Sequence, residues 1–157
     1  MEKNFFFACE LGKLEDVKRL LQNNVNVNWQ DSDSRTPSYV ACQEGRIEIV
    51  KLLLNDQRVD INKNIFGATP LFVACKEGHL DIVTLLLNDT RIEVNEPDND
   101  GDDPLKHQFS NGSVSFAGKA TEGMAPFHIA CKNGQVEIVV LLLEHPKSIF
   151  LLFLNQI

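Results

Sequence analysis

The sequence predicts an all-α protein, a helical solenoid of four helix-turn-helix repeats with short hairpin fingers between them. Ala-Cys occurs four times, each pair is followed three residues later by a glycine, and a similar apolar segment follows each glycine. The first three pairs are 33 residues apart, and the fourth lies 56 residues further on. A fixed period of this length is typical of stacked repeats, in which no unit buries its apolar face alone. The pairs are Ala8-Cys9, Ala41-Cys42, Ala74-Cys75 and Ala130-Cys131.

The third repeat shows the pattern most completely, and it predicts helices over 70–77 and 80–88. Thr69 is a good N-cap, and Pro70 fits the first helical position because its missing N–H is not needed there. Gly78 can take the left-handed conformation that ends the first helix. Asp81 falls in the first turn of the second helix, where a negative charge favours the helix dipole.

The other repeats follow the same plan with changes at the two ends. Residues 2–24 predict a first pair of helices with a charged outer surface. The second repeat predicts helices over 37–44 and 47–55, and the last runs from Pro126 to about His145. In that last repeat Val140 stands where the others have Lys18, Lys51 and Thr84, so an outward position has become apolar.

On these motifs the chain resembles the ankyrin-repeat family. The family's Thr-Pro-Leu-His-x-Ala element is matched by residues 36–41, 69–74 and 125–130, and only the last copy keeps the histidine, as His128. The first copy, residues 3–8, lacks Thr-Pro, as expected of a terminal repeat. The resemblance implies a non-catalytic module that binds a protein partner with its finger tips and the exposed positions of its first helices.

We interpret residues 1–157 as a single ankyrin-repeat domain. Its repeats are predicted at about 2–30, 31–63, 64–97 and 120–147. Two repeat starts 22 residues apart, at Pro104 and Pro126, indicate an insertion at about 101–122. Lengthening a connector from about 5 to about 25 residues costs only about 1.4 kcal/mol of closure entropy, so the stack should continue across it. An apolar tail at 148–157 either folds back on the last helices or awaits a further repeat or partner.

The connectors between repeats carry turn-forming residues and a short apolar pattern. Segments 25–28, 59–62 and 92–95 match the short strand approach of the family's fingers. The third finger has Gly67 two places before Thr69, whereas the second has Ser34 at that position. We therefore expect the second finger to be stiffer or slightly deformed.

Composition argues against several classes of partner. With 15 basic and 22 acidic residues the formal charge is −7, which disfavours nucleic acid or an anionic membrane. No signal sequence follows Met1 and no apolar run approaches the length of a membrane span. We expect a cytoplasmic or nuclear protein that is monomeric unless the apolar residues 149–154 associate, and that needs no cofactor.

The four cysteines belong to the repeat rather than to a disulfide or metal framework. Equivalent positions on stacked helices lie about 8–10 Å apart, beyond the roughly 7 Å that a disulfide tolerates. We expect four reduced, largely buried thiols that act as small apolar side chains.

Two clusters invite a metal interpretation, and neither has a full ligand set. A calcium loop that began at Glu96 would have His107 at position 12, where calcium loops have a bidentate glutamate. We therefore interpret this segment as an acidic finger. His128 with Cys131, and Cys75 with His79, share helix faces in pairs, but zinc needs four converging ligands. We interpret His128 as a structural residue and predict no metal site.

No catalytic constellation emerges either, since the repeat cysteines have no paired base. We predict that the protein is not an enzyme. Two alternatives stay open beside partner binding. The chain is a fragment of a larger ankyrin-repeat protein whose activity lies elsewhere, or it is an enzyme using the 104–122 loop, where His107 and Lys119 are the reactive groups.

The resemblance implies a partner-binding surface, carried over position by position from the family. Exposed aromatic side chains dominate interface energies, so Trp29 and Phe66 are candidate anchors; packing between neighbouring fingers is the alternative for both. The implied residues are Trp29, Ser32, Asp33, Arg35, Gln43, Glu44, Ile65, Phe66, Ala68, Lys76, Glu77, Lys132 and Asn133.

Overall fold

The structure, a computed structural model, describes residues 1–63, 68–94 and 125–147. Within these ranges it consists of eight α-helices and no β-strand, which confirms the predicted all-α class. Observed helix ends in the second and third repeats lie within one residue of the predicted ones. The helices are α1 Glu2–Glu10, α2 Leu14–Gln22, α3 Pro37–Gln43, α4 Ile47–Asn55, α5 Pro70–Glu77, α6 Leu80–Leu87, α7 Ala125–Lys132 and α8 Val136–Glu144.

The helix starts at α3 and α5 follow the predicted capping chemistry. The Thr69 hydroxyl accepts a hydrogen bond from the Phe72 N–H at 3.1 Å, and Pro70 occupies the first helical position. Thr36 accepts from the Tyr39 N–H at 3.2 Å in the same way. Both threonines are buried, and each satisfies a backbone N–H that the first turn of its helix leaves without a partner.

A left-handed residue turns the chain between the two helices of each repeat. Gly78 has φ +77°, as the sequence predicts, and the three other repeat glycines also have positive φ. In the second finger Ser34 has φ +62°, although it carries a side chain. This conformation costs a non-glycine residue roughly 1–2 kcal/mol, so the second finger holds local strain at Ser34.

The helices form two layers. The first helices of the repeats, α1, α3, α5 and α7, pack in that order, and α2, α4, α6 and α8 pack in order behind them. Helix α7 packs against α5 just as α5 packs against α3. The fourth repeat therefore continues the stack directly after the third.

The core runs through the stack between the two layers. Leu86 and Leu71 are fully buried in it, as are the first three repeat cysteines. Val140, predicted to point outward, is 44% exposed. Apolar connector residues complete the core, and they are Val25, Val27, Val59, Ile61, Ile92 and Val94.

The predicted short strands at 25–28, 59–62 and 92–95 are wrong within the described residues, where the connectors form turns. Asparagine and aspartate side chains bond the nearby backbone N–H groups instead of leaving them for a partner strand. The Asn26 side chain accepts from the Asn28 N–H at 3.1 Å, and the Asp60 side chain accepts from the Asn62 N–H at 3.2 Å. Such local bonds favour turns over a ladder.

The same connectors tie neighbouring repeats together. The Asn62 amide donates to the Arg91 carbonyl at 2.8 Å, and its oxygen accepts from the Glu93 N–H at 3.0 Å. Asn28 makes the equivalent pair of bonds to the Arg58 carbonyl and the Asp60 N–H. Each asparagine thus fixes the distance between two successive connectors.

Candidate functional site

The implied binding positions on the first helices lie at equivalent places on adjacent helices. Glu44 follows α3, Lys76 and Glu77 end α5, and Lys132 and Asn133 lie at the end of α7. All five are exposed, and Gln43 beside them is half-buried. Because these helices pack in order, the residues form one row across three repeats, which we call the helix-end row.

Hydrogen bonds between repeats fix the backbone beneath the helix-end row. The Asn133 side chain donates to the Lys76 carbonyl at 2.9 Å, and Gln135 donates to the same oxygen at 3.3 Å. One repeat earlier, the His79 ring nitrogen lies 3.0 Å from the Gln43 carbonyl. The spacing of the row is therefore set by the stack itself rather than by flexible side chains.

In the second finger the cationic side chain of Arg35 is held by hydrogen bonds, and two polar residues are exposed at the tip. Two N–H groups of the Arg35 guanidinium donate to one carboxylate oxygen of Asp31, at 2.9 and 2.7 Å, and the other oxygen accepts from the Arg35 backbone N–H at 2.8 Å. The guanidinium lies 5.6 Å from the centre of the Phe6 ring. Burial would raise the pKa of Asp31, but the hydrogen bonds and charge of Arg35 outweigh it and lower that pKa. Ser32 and Asp33 are exposed at the tip.

Trp29 packs against the first repeat. Its ring is half-buried and meets the Phe6 ring edge-to-face, with 5.7 Å between centroids. The geometry is that of a stabilising aromatic pair. Part of the indole stays accessible at the base of the finger, next to Arg35, which shares the same phenylalanine.

Several residues singled out from the sequence lie outside the described ranges. Ile65 and Phe66 of the third finger are among them, while Ala68 after them is half-buried. The candidate calcium loop from Glu96 to His107 and the loop residue Lys119 also fall outside.

Sequence reasoning missed a set of aromatic side chains beside the helix-end row. Tyr39 and Phe72 stand at equivalent positions of α3 and α5 and are both half-buried. Burial raises the pKa of the Tyr39 hydroxyl, which stays neutral. His128 holds the same position in α7 and is exposed, whereas His79 is the histidine that bonds the framework. The signal was available, because all three occupy the histidine position of the Thr-Pro-Leu-His-x-Ala element.

The expectation of four buried thiols is wrong for one of them. Cys9, Cys42 and Cys75 are buried, but Cys131 is exposed because in the described residues no further helix pair covers that side of α7. Burial raises the pKa of Cys9 and of Cys75 to about 12, so these thiols stay protonated. All four cysteines are free.

Among the described residues no three histidine, cysteine or acidic side chains come close enough to hold a metal ion. In the same ranges no helix is both long and apolar enough to cross a bilayer. What the described surface offers is charged, amide and aromatic groups in fixed positions, which suits recognition by hydrogen bonding and contact.

Comparison with protein families agrees with this architecture. A model for three copies of ankyrin repeats matches residues 5–98, and a model for a single ankyrin repeat matches residues 122–151. No curated protein matches the chain.

Proposed function

This chain belongs to the ankyrin-repeat family, and from that premise we propose that it holds a partner protein against the helix-end row and the adjoining finger tips. Ankyrin repeats are generally protein-interaction modules and typically do not catalyse reactions. The proposed contact residues are those implied by the sequence, with Tyr39, Phe72 and His128 added as the aromatic border of the row.

The observation that supports this proposal most is the rigid placement of exposed polar groups. Lys76 and Asn133 belong to different repeats, yet the bond from the Asn133 side chain to the Lys76 carbonyl fixes one relative to the other. A surface whose backbone is already in place loses less conformational entropy when a partner binds. Half-buried aromatic side chains beside it supply contact area at low entropy cost.

The experiment compares charge reversals on the two layers of the stack. Partners are enriched with the intact chain, and the affinity of each is then measured for a Glu77→Lys, Lys132→Glu double variant. The control is a Glu48→Lys, Glu137→Lys double variant, whose exposed residues lie on α4 and α8 in the other layer.

We expect the first double variant to bind at least tenfold more weakly, about 1.4 kcal/mol, and the control to bind as the unmodified chain does. Equal losses in both variants would place the contact elsewhere. A partner that binds equally well to both would contradict the proposed surface.

A further inference from the structure

The three joints between successive repeats share one interlocking contact. The residue just before each second helix reaches back to a carbonyl at the end of the preceding first helix. Arg46 donates to the Glu10 carbonyl at 3.0 Å, and the His79 ring nitrogen lies 3.0 Å from the Gln43 carbonyl. Gln135 completes the series with its bond to the Lys76 carbonyl at 3.3 Å.

In each joint this reaching side chain lies across the glycine turn of the preceding repeat. A Cβ atom added to Gly45 would lie 2.9 Å from the His79 ring, and one added to Gly78 would lie 2.9 Å from the Gln135 amide nitrogen. At Gly12 the added atom would meet Arg46 at 3.2 Å. A side chain of the following repeat therefore occupies the space beside each of these three glycine turns.

One half of this joint is exposed on the fourth repeat. A Cβ atom added to Gly134 would meet no atom of the described residues within 4 Å. Cys131 is exposed and Val139 half-buried, although their equivalents in the three earlier repeats are all buried. We call Cys131, Gly134 and Val139 the C-terminal end face.

The other half is exposed on the first repeat. Phe7 is 51% exposed, while its equivalents Val40 and Val73 are each 1% exposed. Lys13, also exposed, occupies the position from which Arg46, His79 and Gln135 reach back. Leu20 is half-buried, and beside it a hollow of about 220 Å³ is lined by Phe7, Ala8, Leu11, Lys13 and Leu20 among others. We call Phe7, Lys13 and Leu20 the N-terminal end face.

We propose that the two end faces dock on each other in different copies of the chain, so that the protein associates head to tail. The occupant is a second copy because the two faces are the matching halves of a joint that the chain already makes three times. Phe7 of one copy covers the region of Cys131 and Val139 of the next. Its Lys13 crosses the Gly134 turn towards the carbonyl of Lys132, as Arg46 crosses Gly12 towards Glu10.

Such a contact uses a different patch on each copy, and because each copy continues the stack of the one before, it extends into open chains instead of closing into a ring. It is weaker than the joints within the chain. Asp16, bonded to Arg19 at 2.7 Å, stands on the N-terminal end face where the later repeats have buried isoleucines. Covering this charge opposes association, which is therefore reversible and appears only at high protein concentration.

The first test measures the average molar mass of the intact chain by sedimentation equilibrium over a wide concentration range. We expect the mass to rise with concentration beyond that of a dimer. Phe7→Glu and, separately, Cys131→Arg should each lower the association constant at least tenfold, because each places a charge in the joint. A chain that stays monomeric up to millimolar concentration would overturn the proposal.

Mixing the two variants gives the decisive measurement. Phe7→Glu keeps an intact C-terminal end face and Cys131→Arg keeps an intact N-terminal one, so the mixture should form a dimer that stops at one copy of each. If like faces bound each other instead, mixing the two variants would not restore association. That result would refute head-to-tail docking. Circular dichroism and thermal unfolding of each variant verify that the fold is kept.

Lys13 provides a control for the register of the contact. Lys13→Gln keeps an N–H donor, as Gln135 does in the last joint, and should leave association within about twofold of the unmodified chain. Lys13→Glu removes the donor and should weaken association at least tenfold. Equal association constants for the two variants would show that Lys13 does not cross Gly134.

Discussion

Individual side chains determine where the helices begin and which thiols are protected. The buried hydroxyl of Thr69 caps α5, and that of Thr36 caps α3, so the two Thr-Pro steps start both helices by the same bond. Cysteine behaves differently in different repeats although the local sequence is the same. Cys75 is covered by the next repeat, and Cys131 is not.

Replacing Thr69 by alanine should lower the free energy of unfolding by about 1 kcal/mol, because the Phe72 N–H loses its partner inside the protein. Urea unfolding followed by circular dichroism measures the change. Thr84→Ala is the matched control, since that exposed hydroxyl only bonds the Leu80 carbonyl of its own helix at 2.9 Å. The control should change stability by less than about 0.5 kcal/mol, and equal losses would contradict the capping role of Thr69.

A thiol reagent should label one cysteine of the native protein quickly and the other three only on unfolding. Cys131 is exposed, whereas Cys9, Cys42 and Cys75 are buried, and this difference in access decides the labelling because burial raises the pKa of all four thiols. Mass spectrometry after brief labelling at neutral pH counts the modified sites. Cys131→Ser should abolish the fast phase, and its persistence in that variant would show that a buried thiol opens.

Between elements, the connectors work as ties as well as turns. Asp89 holds Arg91 by two bonds, at 3.0 and 2.7 Å, and Arg91 reaches the Leu54 carbonyl of the preceding repeat at 2.7 Å. Asp56 and Arg58 repeat the arrangement one period earlier, with a bond to the Leu21 carbonyl. An ion pair within one connector thereby orients a bond between two repeats.

The Asp89–Arg91 pair should make the free energy of unfolding depend on pH in the acid range. The hydrogen bond from Arg91 is the largest cause that lowers the pKa of Asp89 below its ordinary 3.8. A lowered folded-state pKa contributes stability that is complete above the unfolded pKa and is lost as the pH falls through the folded one. Asp89→Asn should therefore cost about 1–3 kcal/mol at pH 7, and the difference from the unmodified protein should shrink below about pH 4.

Unfolding titrations from pH 7 to pH 2 test this dependence. Asp33→Asn is the control, because Asp33 is exposed and lies 3.8 Å from Arg35, a surface pair that contributes little. A stability difference for Asp89→Asn that stays constant across this range would mean that the carboxylate charge is not what holds Arg91.

The sequence predicted features that depend on local chemistry and missed those that depend on a neighbouring repeat. Thr69, Pro70 and Gly78 act through bonds or backbone angles within a few residues, so their roles were readable. The exposure of Cys131 depends on what covers α7, which the local motif does not encode. The Asp-x-Arg step at Asp56 and Asp89 recurs with the 33-residue period, and that recurrence was the overlooked signal for the ties.

The site was less predictable than the fold for the same reason. The resemblance placed Glu77 and Lys132 on exposed helix ends, where the structure has them. It did not reveal that Arg35 is engaged by Asp31 and lies over Phe6, nor that Trp29 packs on that same ring. The two contacts with Phe6 join residues more than 20 positions apart, a distance that no helix or turn pattern covers.

In the whole molecule, stability comes from layers that cover each other. Leu86 is fully buried between repeats, and Leu80 six residues earlier in the same helix is 37% exposed. The inner position belongs to the shared core and the outer one does not. A cavity at the inner position should therefore be felt by the repeats on both sides.

Leu86→Ala should lower the free energy of unfolding by about 2–5 kcal/mol through the cavity that it leaves. Leu80→Ala, the control in the same helix, should cost less than about 1.5 kcal/mol because much of that side chain already meets water. Denaturant titration with circular dichroism measures both. A negligible change in the free energy of unfolding for Leu86→Ala would mean that this side of α6 does not face the core.

The direct packing of α7 on α5 shows that neighbours in space need not be one period apart in sequence. The entropic cost of joining two repeats through a longer connector grows only with the logarithm of the connector's length. New sequence can therefore be inserted between two units of such an array during evolution while the helix pairs stay stacked. A genome survey that demands strict spacing would count three units in the described ranges, where eight helices form four.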